Sequence, residues 1–252
     1  MAHMNIGLYQ SAASLSALER WQEAVAQNIT SSQTTGFRKR VVEFSAESAG
    51  QWNLNPDSKL SSANEMKSVF PRASNSISFT NGETEPTRRD LDIALQGPGF
   101  FELKTPDGNR AYTRSGAFQM RSDRTVVTAG NCELLTDSGS PVVMLPGADP
   151  LTVNPDGTIS QGTTSLGRLS IQQFEKPETL IPSAGGLFTP VADSNMSPVT
   201  KPDLLQGYLE QSNVKPLSEM VDMVLISRAY EANQKIISTV DQQMEKTLQA
   251  LG

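Results

Sequence analysis

Residues 216–251 read PLSEMVDMVLISRAYEANQKIISTVDQQMEKTLQAL, and this stretch decides the fold class. Its mainly apolar positions recur every three or four residues, which is the spacing of one helix face and of a coiled-coil seam. The seam consists of Met223, Ile226, Tyr230, Asn233, Ile237, Val240, Met244, Thr247 and Leu251. We therefore predict one long C-terminal helix whose apolar stripe needs a partner to leave water.

A second stripe of the same spacing opens the chain. We expect a helix over residues 6–30, with Asn5 as its N-cap and Gly36 as its terminating glycine. Its seam consists of Leu8, Ser11, Leu15, Leu18, Gln22, Val25 and Ile29. Two such stripes either pair within one molecule as an ordinary core or are shared between copies, and the spacing alone favours neither arrangement.

Four individual positions are candidates for a role in assembly. Asn233 allows two interpretations. In one, its amide is buried and fixes the register of the paired helices; in the other, it faces solvent or a partner and has no special role. Asn28 lies near the end of the first helix, ahead of Gly36 and of Phe37, which we expect to fold back as an apolar contact. We expect Gly36→Val to harm assembly more than folding, unless Gly36 is a plain helix stop.

Composition excludes several classes of function. The formal net charge is -6, and the densest basic run is Arg38-Lys39-Arg40, so we expect no nucleic-acid partner and interpret this run as a solvated helix end. With 37% hydrophobic and 6% aromatic residues in 252, the chain is lean for one dense core, which favours a protein of several parts.

The reactive residue types are nearly absent. Cys132 is the single cysteine and is interpreted as a small buried residue in a strand. His3 is the single histidine and lies in residues 1–3, which look like an expression remnant. Asp90, Asp92 and Glu102 are interpreted as solvated carboxylates at strand ends. We therefore predict no catalytic site, no cofactor and no metal site, and hence no enzyme.

The first 30 residues are amphipathic and polar-rich, without the continuous apolar stretch of a cleavable secretory signal. No apolar run approaches the roughly 20 residues that cross a bilayer. We expect a soluble protein that is not inserted in a membrane.

The middle of the chain has a different pattern of apolar and polar residues. Residues 39–81 lack a sustained period and are predicted to be an extended connector, with a short helix near residues 62–68. Residues 82–209 contain short β-type runs with hairpin chemistry at Pro106–Asn109 and Pro155–Gly157, which predicts an antiparallel sandwich or irregular barrel. The predicted strands cover residues 92–95, 100–103, 111–113, 117–120, 126–128, 151–153, 158–159, 168–174, 187–189 and 204–209.

The predicted fold class is therefore α+β, with a β module flanked by long terminal helices that form a coiled coil. The domain bounds are residues 1–3 for the remnant, 4–38 for the first assembly helix, 39–81 for the connector, 82–209 for the β domain and 210–252 for the second assembly helix, packed with 4–38.

Four stretches of the chain carry a recognisable pattern in order. Residues 26–37 read AQNITSSQTTGF, residues 91–103 precede AYTRSGAF at 111–118, and GYLEQSNV at 207–214 leads into the C-terminal helix. They resemble the signatures of the bacterial flagellar rod and hook proteins, whose first signature is an Ala-Asn-Asn-Leu-Ala-Asn run followed by Thr-x-Gly-Phe. This chain departs from that signature at Gln27, Thr30 and Ser31.

The resemblance implies a structural subunit of the flagellar basal-body rod, of the proximal or distal type. Proteins of this family leave the cytoplasm through the flagellar type III export apparatus without a cleaved signal and polymerise in the periplasm. There they form the drive shaft that transmits motor torque, with the terminal helices as the inner layer. The implied partners are other copies, other rod or hook subunits and the export apparatus.

The assembly interface that this resemblance implies combines both seams with the end of the first helix. It consists of Leu8, Leu15, Leu18, Val25, Asn28, Ile29, Gly36, Phe37, Met223, Ile226, Tyr230, Asn233, Ile237, Val240, Met244 and Leu251. The alternative function is a secreted β-domain adhesin or ligand-binding module dimerised by its helices. That alternative requires clustered exposed aromatic residues, whereas Tyr112, Phe118 and Phe174 are dispersed and alternate with polar residues as core positions do.

Overall fold

A computed structural model describes residues 2–53, 65–147, 149–191 and 194–251, with the side chains of residues 10–46, 71–147, 149–191, 194–247 and 249. The chain divides into two compact units. Unit one comprises residues 1–30, 40–77 and 215–252, and unit two comprises residues 31–39 and 78–214. Unit two thus takes in residues 31–39 from the N-terminal region.

Unit one contains one helix from each end of the chain. Helix α1 spans Ala2–Thr30 and helix α2 spans Pro216–Leu251. Pro216 occupies the first helical position of α2, where its missing N–H costs nothing, and Glu219 lies in the first turn, where a negative charge favours the helix N-terminus. These bounds confirm the predicted C-terminal helix. Neither helix, over its described residues, carries an apolar window suited to crossing a bilayer.

Two long strands are the other described elements of unit one. Strand β1 spans Arg40–Asn53 and pairs antiparallel with β2, Glu65–Ile77, in a register that runs from Arg40↔Ile77 to Asn53↔Glu65. The predicted helix was wrong for residues 65–68, which lie in β2, while residues 62–64 lie outside the described residues. Backbone pairing and contact with α1 stabilise this ribbon, since Arg20 Nη1 donates to the Ala73 carbonyl at 3.0 Å.

Unit two contains sixteen short strands among its described residues, and every pair that they form is antiparallel. Their bounds are β3 Thr84–Pro86, β4 Ile93–Gln96, β5 Phe100–Lys104, β6 Arg110–Thr113, β7 Phe118–Met120, β8 Val126–Thr128, β9 Glu133–Leu134, β10 Leu151–Val153, β11 Thr158–Gln161, β12 Thr164–Arg168, β13 Ile171–Phe174, β14 Ile181–Ser183, β15 Leu187–Thr189, β16 Met196–Pro198, β17 Asp203–Gln206 and β18 Tyr208–Glu210. Two 3₁₀ turns, Pro177–Thr179 and Ala184–Gly186, flank β14.

The strands of unit two combine into several sheets. A nine-stranded sheet has the order β14-β15-β6-β5-β9-β8-β7, and β13 joins it by pairing with β5 and β16. A three-stranded sheet, β10-β11-β12, and the pairs β4–β17 and β3–β18 complete the described pairing. Both predicted hairpin turns are confirmed, because β5 pairs with β6 across residues 105–109 and β10 pairs with β11 across residues 154–157. The predicted strands over 168–174 and 204–209 each divide into two.

An apolar core lies within unit two. Phe101, Leu103 and Phe118 are almost completely buried, and Tyr112 and Phe174 are buried as predicted. Phe101 and Phe118 meet edge to face with their ring centroids 5.5 Å apart, which is a favourable aromatic geometry. Cys132 is buried next to the start of β9.

The prediction that the two long terminal helices form a coiled coil was wrong. The α+β part holds, because a β-rich body accompanies one helix at each end. However, α1 packs against both strands of the ribbon as well as against α2, so its apolar face is divided between a sheet and a helix. The seam position Gln22 is therefore exposed, while Ala17 and Ala24, outside the seam, are buried. Among the described side chains of α2 only Glu219 and Ile226 are buried, so the heptad seam is only partly closed.

Candidate functional site

Asn28 joins three elements of unit one. Its side chain is completely buried, and Nδ2 donates to the Arg40 carbonyl at 2.8 Å and to Glu219 Oε2 at 2.9 Å. Its Oδ1 accepts a hydrogen bond from the Arg40 backbone N–H at 2.8 Å. One amide therefore holds the end of α1, the start of β1 and the first turn of α2 together.

Sequence reasoning selected Asn28 but missed its partner. Glu219 is completely buried in the first turn of α2, where the helix dipole favours its negative charge. A charge-assisted hydrogen bond to a buried carboxylate is among the stronger contacts in a protein. The only sequence signal for Glu219 is its place just after Pro216, which gives no hint of a partner 191 positions away.

The two predicted seams lie within unit one and are closed to different degrees. Val25 and Ile226 are buried. The remaining described seam members that were predicted as interface are half-buried: Leu15, Leu18, Ile29, Met223, Tyr230, Asn233, Ile237, Val240 and Met244. Leu8 and Leu251 lie outside the described side chains. Asn233 Nδ2 donates to the Ala229 carbonyl of its own helix at 2.9 Å, so this N–H bonds within α2 and not across to a facing helix.

A second apolar stripe on α2 was missed. The stripe consists of Leu217, Met220, Val221, Val224 and Leu225, and all five are exposed, Leu217 by 77% and Val221 by 54%. At about 3.6 residues per turn, these positions lie roughly opposite the seam that includes Ile226. The first three turns of α2 thus carry apolar residues on two faces. Their spacing by three and four was a visible signal in the sequence.

The signature stretches of unit two meet at Glu210, which is buried at the end of β18. Oε1 of Glu210 accepts from Arg38 Nη1 at 2.8 Å and from the Gly82 backbone N–H at 2.9 Å. Oε2 accepts from Arg114 Nε at 3.1 Å. Arg38 is therefore not part of a solvated helix end as predicted, because its guanidinium is held by Glu210 and is only 2% exposed.

Two guanidinium groups share this one carboxylate. Burial lowers the pKa of Arg114 to about 10, and Glu210 opposes that shift while Arg38 adds to it. Burial likewise lowers the pKa of Arg38 against the opposing effect of Glu210. Glu210, Arg38 and Arg114 together form what we call the Glu210 junction. It contains an excess of buried positive charge, which is costly in a low-dielectric interior.

Gly36 closes the junction from the N-terminal side. Its φ of 68° lies in the left-handed region, as its proposed role as a terminator requires, and its N–H donates to the Glu210 carbonyl at 2.8 Å. An added Cβ would lie 2.3 Å from the Ser115 backbone nitrogen. We therefore revise the expectation for Gly36→Val, because the clash lies inside one chain and damages folding directly. Phe37 is half-buried.

Asn213 performs a similar role beside Glu210. Its Oδ1 accepts from the Lys39 backbone N–H at 2.6 Å, and its Nδ2 donates to the carbonyls of Ser78 and Thr80 at 3.0 and 2.9 Å. Two neighbouring residues of one signature thus hold the segments 31–39 and 78–82 in place. The sequence pattern over residues 207–214 gave no sign of these contacts.

Two of the three carboxylates predicted to be solvated are buried. Glu102 accepts from Arg110 Nη1 at 2.8 Å and from the Ser170 hydroxyl. Asp92 lies 3.7 Å from Arg89 Nη1. The hydrogen bonds of Glu102 indicate a structural role, whereas both carboxylate oxygens of Asp92 are buried without a hydrogen-bond partner among the described residues. Within the residues that the structure describes, no group of three or more His, Cys, Asp or Glu side chains is arranged to hold a metal ion.

Comparison with protein families places similarity on both signature-rich regions. A model described as "Flagellar hook protein FlgE/F/G D1 domain" matches residues 94–161, which include Arg114. A model described as "Flagellar basal body rod FlgEFG protein C-terminal" matches residues 205–250, which include Glu210, Asn213 and Glu219. The matched regions thus contain residues of both the Glu210 junction and the Asn28–Glu219 contact.

Curated proteins are similar over nearly the whole chain. The flagellar basal-body rod protein FlgF of Caulobacter vibrioides is 30% identical over 249 residues, which cover 99% of both chains. The flagellar basal-body rod protein FlgG of Buchnera aphidicola subsp. Schizaphis graminum is 31% identical over 264 residues, covering 96% of this chain and 98% of the relative. FlgG of Borreliella burgdorferi is 29% identical over 256 residues, covering 93% and 94%.

Proposed function

Because this chain belongs to the family of bacterial flagellar basal-body rod proteins, we propose that it assembles with other rod and hook subunits through its helical unit. It is a structural subunit of the rod and not an enzyme. The relatives named above are rod proteins, so the adhesin alternative is not retained.

The exposed stripe Leu217–Leu225 carries this proposal. An apolar helix face in water is unfavourable, and contiguous apolar patches of this kind mark interaction surfaces. The seam on the opposite face of α2 is already buried or half-buried within the chain, so the stripe requires a different partner. For a rod protein that partner is a neighbouring subunit, which covers the stripe by packing an apolar helix or strand face against it.

The predicted seam has a second role in this proposal. Tyr230, Ile237 and Met244 are half-buried within the chain, so part of each side chain is still available to a neighbour. We propose that neighbouring subunits complete the burial of the seam residues, with the ends of both helices included. The interface then consists of the predicted positions together with the stripe. Long helices packed in this way resist shear and transmit torque.

The place and route of assembly are further parts of the proposal. Family membership supports a location in the basal body, and we propose that the rod segment concerned is periplasmic and that the flagellar export apparatus delivers the subunit. Cell fractionation tests this proposal. The chain should appear in the periplasm of cells with a working export apparatus and remain in the cytoplasm of cells without one; periplasmic delivery without that apparatus would contradict it.

The variant Met220→Glu/Val224→Glu tests the stripe. Both positions are exposed, so we expect the free energy of unfolding of the monomer to change by less than about 1 kcal/mol. Assembly should be lost, because two buried carboxylates would have to be desolvated in the interface. The measurements are the yield of basal bodies and motility in cells that lack the native gene, together with urea unfolding of the purified variant.

The matched control is Gln234→Glu, which adds a carboxylate at an exposed position of α2 outside the stripe. It should leave both folding and motility intact. Normal motility of the double variant would show that the stripe is not part of the assembly surface.

A further inference from the structure

Unit two contains a cavity that the assembly proposal does not use. Its volume is about 430 Å³, and it lies beside the Glu210 junction. Arg38 and Arg114 line it together with the rings of Phe79, Phe100 and Phe174 and the turn at Gly97–Gly99. The cavity thus combines buried cationic groups with aromatic walls.

The protein supplies one carboxylate for two buried guanidinium groups, whose other N–H groups mostly donate to neutral acceptors such as the Gly97 and Gly99 carbonyls. Arg38 and Arg114 share the single carboxylate of Glu210, and each guanidinium is only 2% exposed. Arg38 Nε is buried without a hydrogen-bond partner within the described residues. Glu175 also lines the cavity, but it is exposed to water, and its Oε2 accepts a hydrogen bond from Asn195 Nδ2 at 3.1 Å. An unmatched buried charge favours an anion nearby.

The walls restrict the kind of anion. Phe100 lies under the Arg114 guanidinium, with Cζ 6.0 Å from the ring centroid, and its own ring contacts Phe174 edge to face at 5.8 Å. Such walls accept an apolar or aromatic group. A phosphate dianion would bring two charges and a strong hydration shell against one excess positive charge, whereas a carboxylate brings one.

We propose that this cavity binds a carboxylate carried on an aromatic or aliphatic group. The carboxylate lies at the Arg38 and Arg114 side and offsets the charge that Glu210 leaves unmatched. The apolar part lies among the phenylalanine rings. Two sources carry this chemistry, a free organic acid and an acidic side chain beside an apolar one in a polypeptide.

Sodium benzoate is the probe for the test, with benzamide as its neutral isostere. In ¹H–¹⁵N NMR titrations of the full chain, benzoate should give saturable shifts at the amides of Gly97 and Gly99, and benzamide should bind clearly more weakly. No saturable shift with benzoate, or equal binding of benzamide, would overturn the proposal.

Charge variants at Gln173 test the electrostatic part without disturbing the junction. Gln173 lines the cavity from β13 and is exposed, so its substitution leaves the core intact. Gln173→Glu should weaken benzoate binding about fivefold and Gln173→Lys should strengthen it, while Gln173→Ala should change it little. Equal affinities of the Glu and Lys variants would contradict a carboxylate site.

The blocked dipeptide N-acetyl-Phe-Glu-amide distinguishes the two sources. Competition with benzoate shows that an acidic side chain of a polypeptide fits the cavity, as a neighbouring subunit would supply. Binding of benzoate alone restricts the site to free acids. Either result supports a carboxylate site, because benzoate binding is required for both.

Discussion

Glu210 shows how one side chain organises a β-rich unit. Its two carboxylate oxygens accept three hydrogen bonds from Arg38, Arg114 and Gly82, which come from three separate stretches of the chain. Local sequence cannot indicate this role, because a glutamate at the end of a short strand is usually solvated. The role follows only when the three stretches come together.

The first prediction concerns the charge of this carboxylate. Glu210→Gln keeps the shape of the side chain but leaves two buried guanidinium charges without an anion, so the free energy of unfolding should fall by about 3 kcal/mol. Urea unfolding followed by circular dichroism measures the change. Glu83→Gln, at an exposed position in the same unit, is the control and should shift the midpoint little. Equal midpoints for both variants would contradict the role of the junction.

Tyr112 gives a prediction on pH. Burial raises the pKa of Tyr112, and the negative charge of Glu102 raises it further. The unfolded chain therefore loses this proton first, so the contribution to stability is complete below about pH 10 and is lost as the pH rises through the higher folded value. Tyrosinate absorbance at 295 nm is titrated for the native protein and for Tyr112→Phe. The component that the variant lacks belongs to Tyr112, and it should titrate at a higher pH than an ordinary tyrosine. A missing component at pH 10 or lower would contradict this.

At the scale of elements, the end of α1, the start of β1 and the first turn of α2 form one contact through Asn28. Local periodicity and Pro216 at the first helical position explain why α2 begins where the sequence predicts, whereas α1 begins at Ala2, ahead of the predicted N-cap at Asn5. The β1–β2 ribbon lacks such a local signal. Helix α1 contacts both strands, and this contact stabilises a two-stranded ribbon that would be marginal alone.

Substitution of Asn28 should loosen this contact. Asn28→Ala removes the partners of the Arg40 backbone N–H and C=O and the hydrogen bond to the buried Glu219 carboxylate. The free energy of unfolding should therefore fall by about 2–4 kcal/mol. Hydrogen exchange should speed up at the start of β1. Gln22→Ala, at an exposed position of the same helix, is the control. Unchanged exchange in Asn28→Ala would show that the ribbon is held without it.

At the scale of the molecule, the chain passes between its two units four times, at residues 30/31, 39/40, 77/78 and 214/215. Unit two is therefore discontinuous in sequence. Its segment 31–39 supplies Gly36, Arg38 and the Lys39 N–H to partners at Glu210 and Asn213. This arrangement links the N-terminal signature to the β-rich unit.

The discontinuity predicts how fragments fold. Residues 31–214 should unfold at a clearly higher urea concentration than residues 78–214, because the shorter fragment leaves the polar atoms of Glu210 and Asn213 without their N-terminal partners. Adding a synthetic peptide of residues 31–39 to the shorter fragment should recover part of the difference. Equal midpoints for the two fragments would show that segment 31–39 does not contribute to the unit.

The sequence by itself determined the family, the two terminal helices, both hairpin turns and the aromatic core positions. These features depend on periodicity, capping and turn chemistry within a few residues, or on a signature that can be matched without coordinates. Tyr112, Phe118 and Phe174 were placed in the core correctly for this reason.

Only the tertiary structure decided which helix faces are covered and which charges are buried. The described seam residues of α2 from Met223 to Met244 are buried or half-buried while the stripe on the opposite face stays exposed, and helical spacing is the same for both faces. Arg38 and Glu219 are buried against partners that lie far away in sequence. Burial and pairing are properties of the complete set of contacts, so no local pattern encodes them.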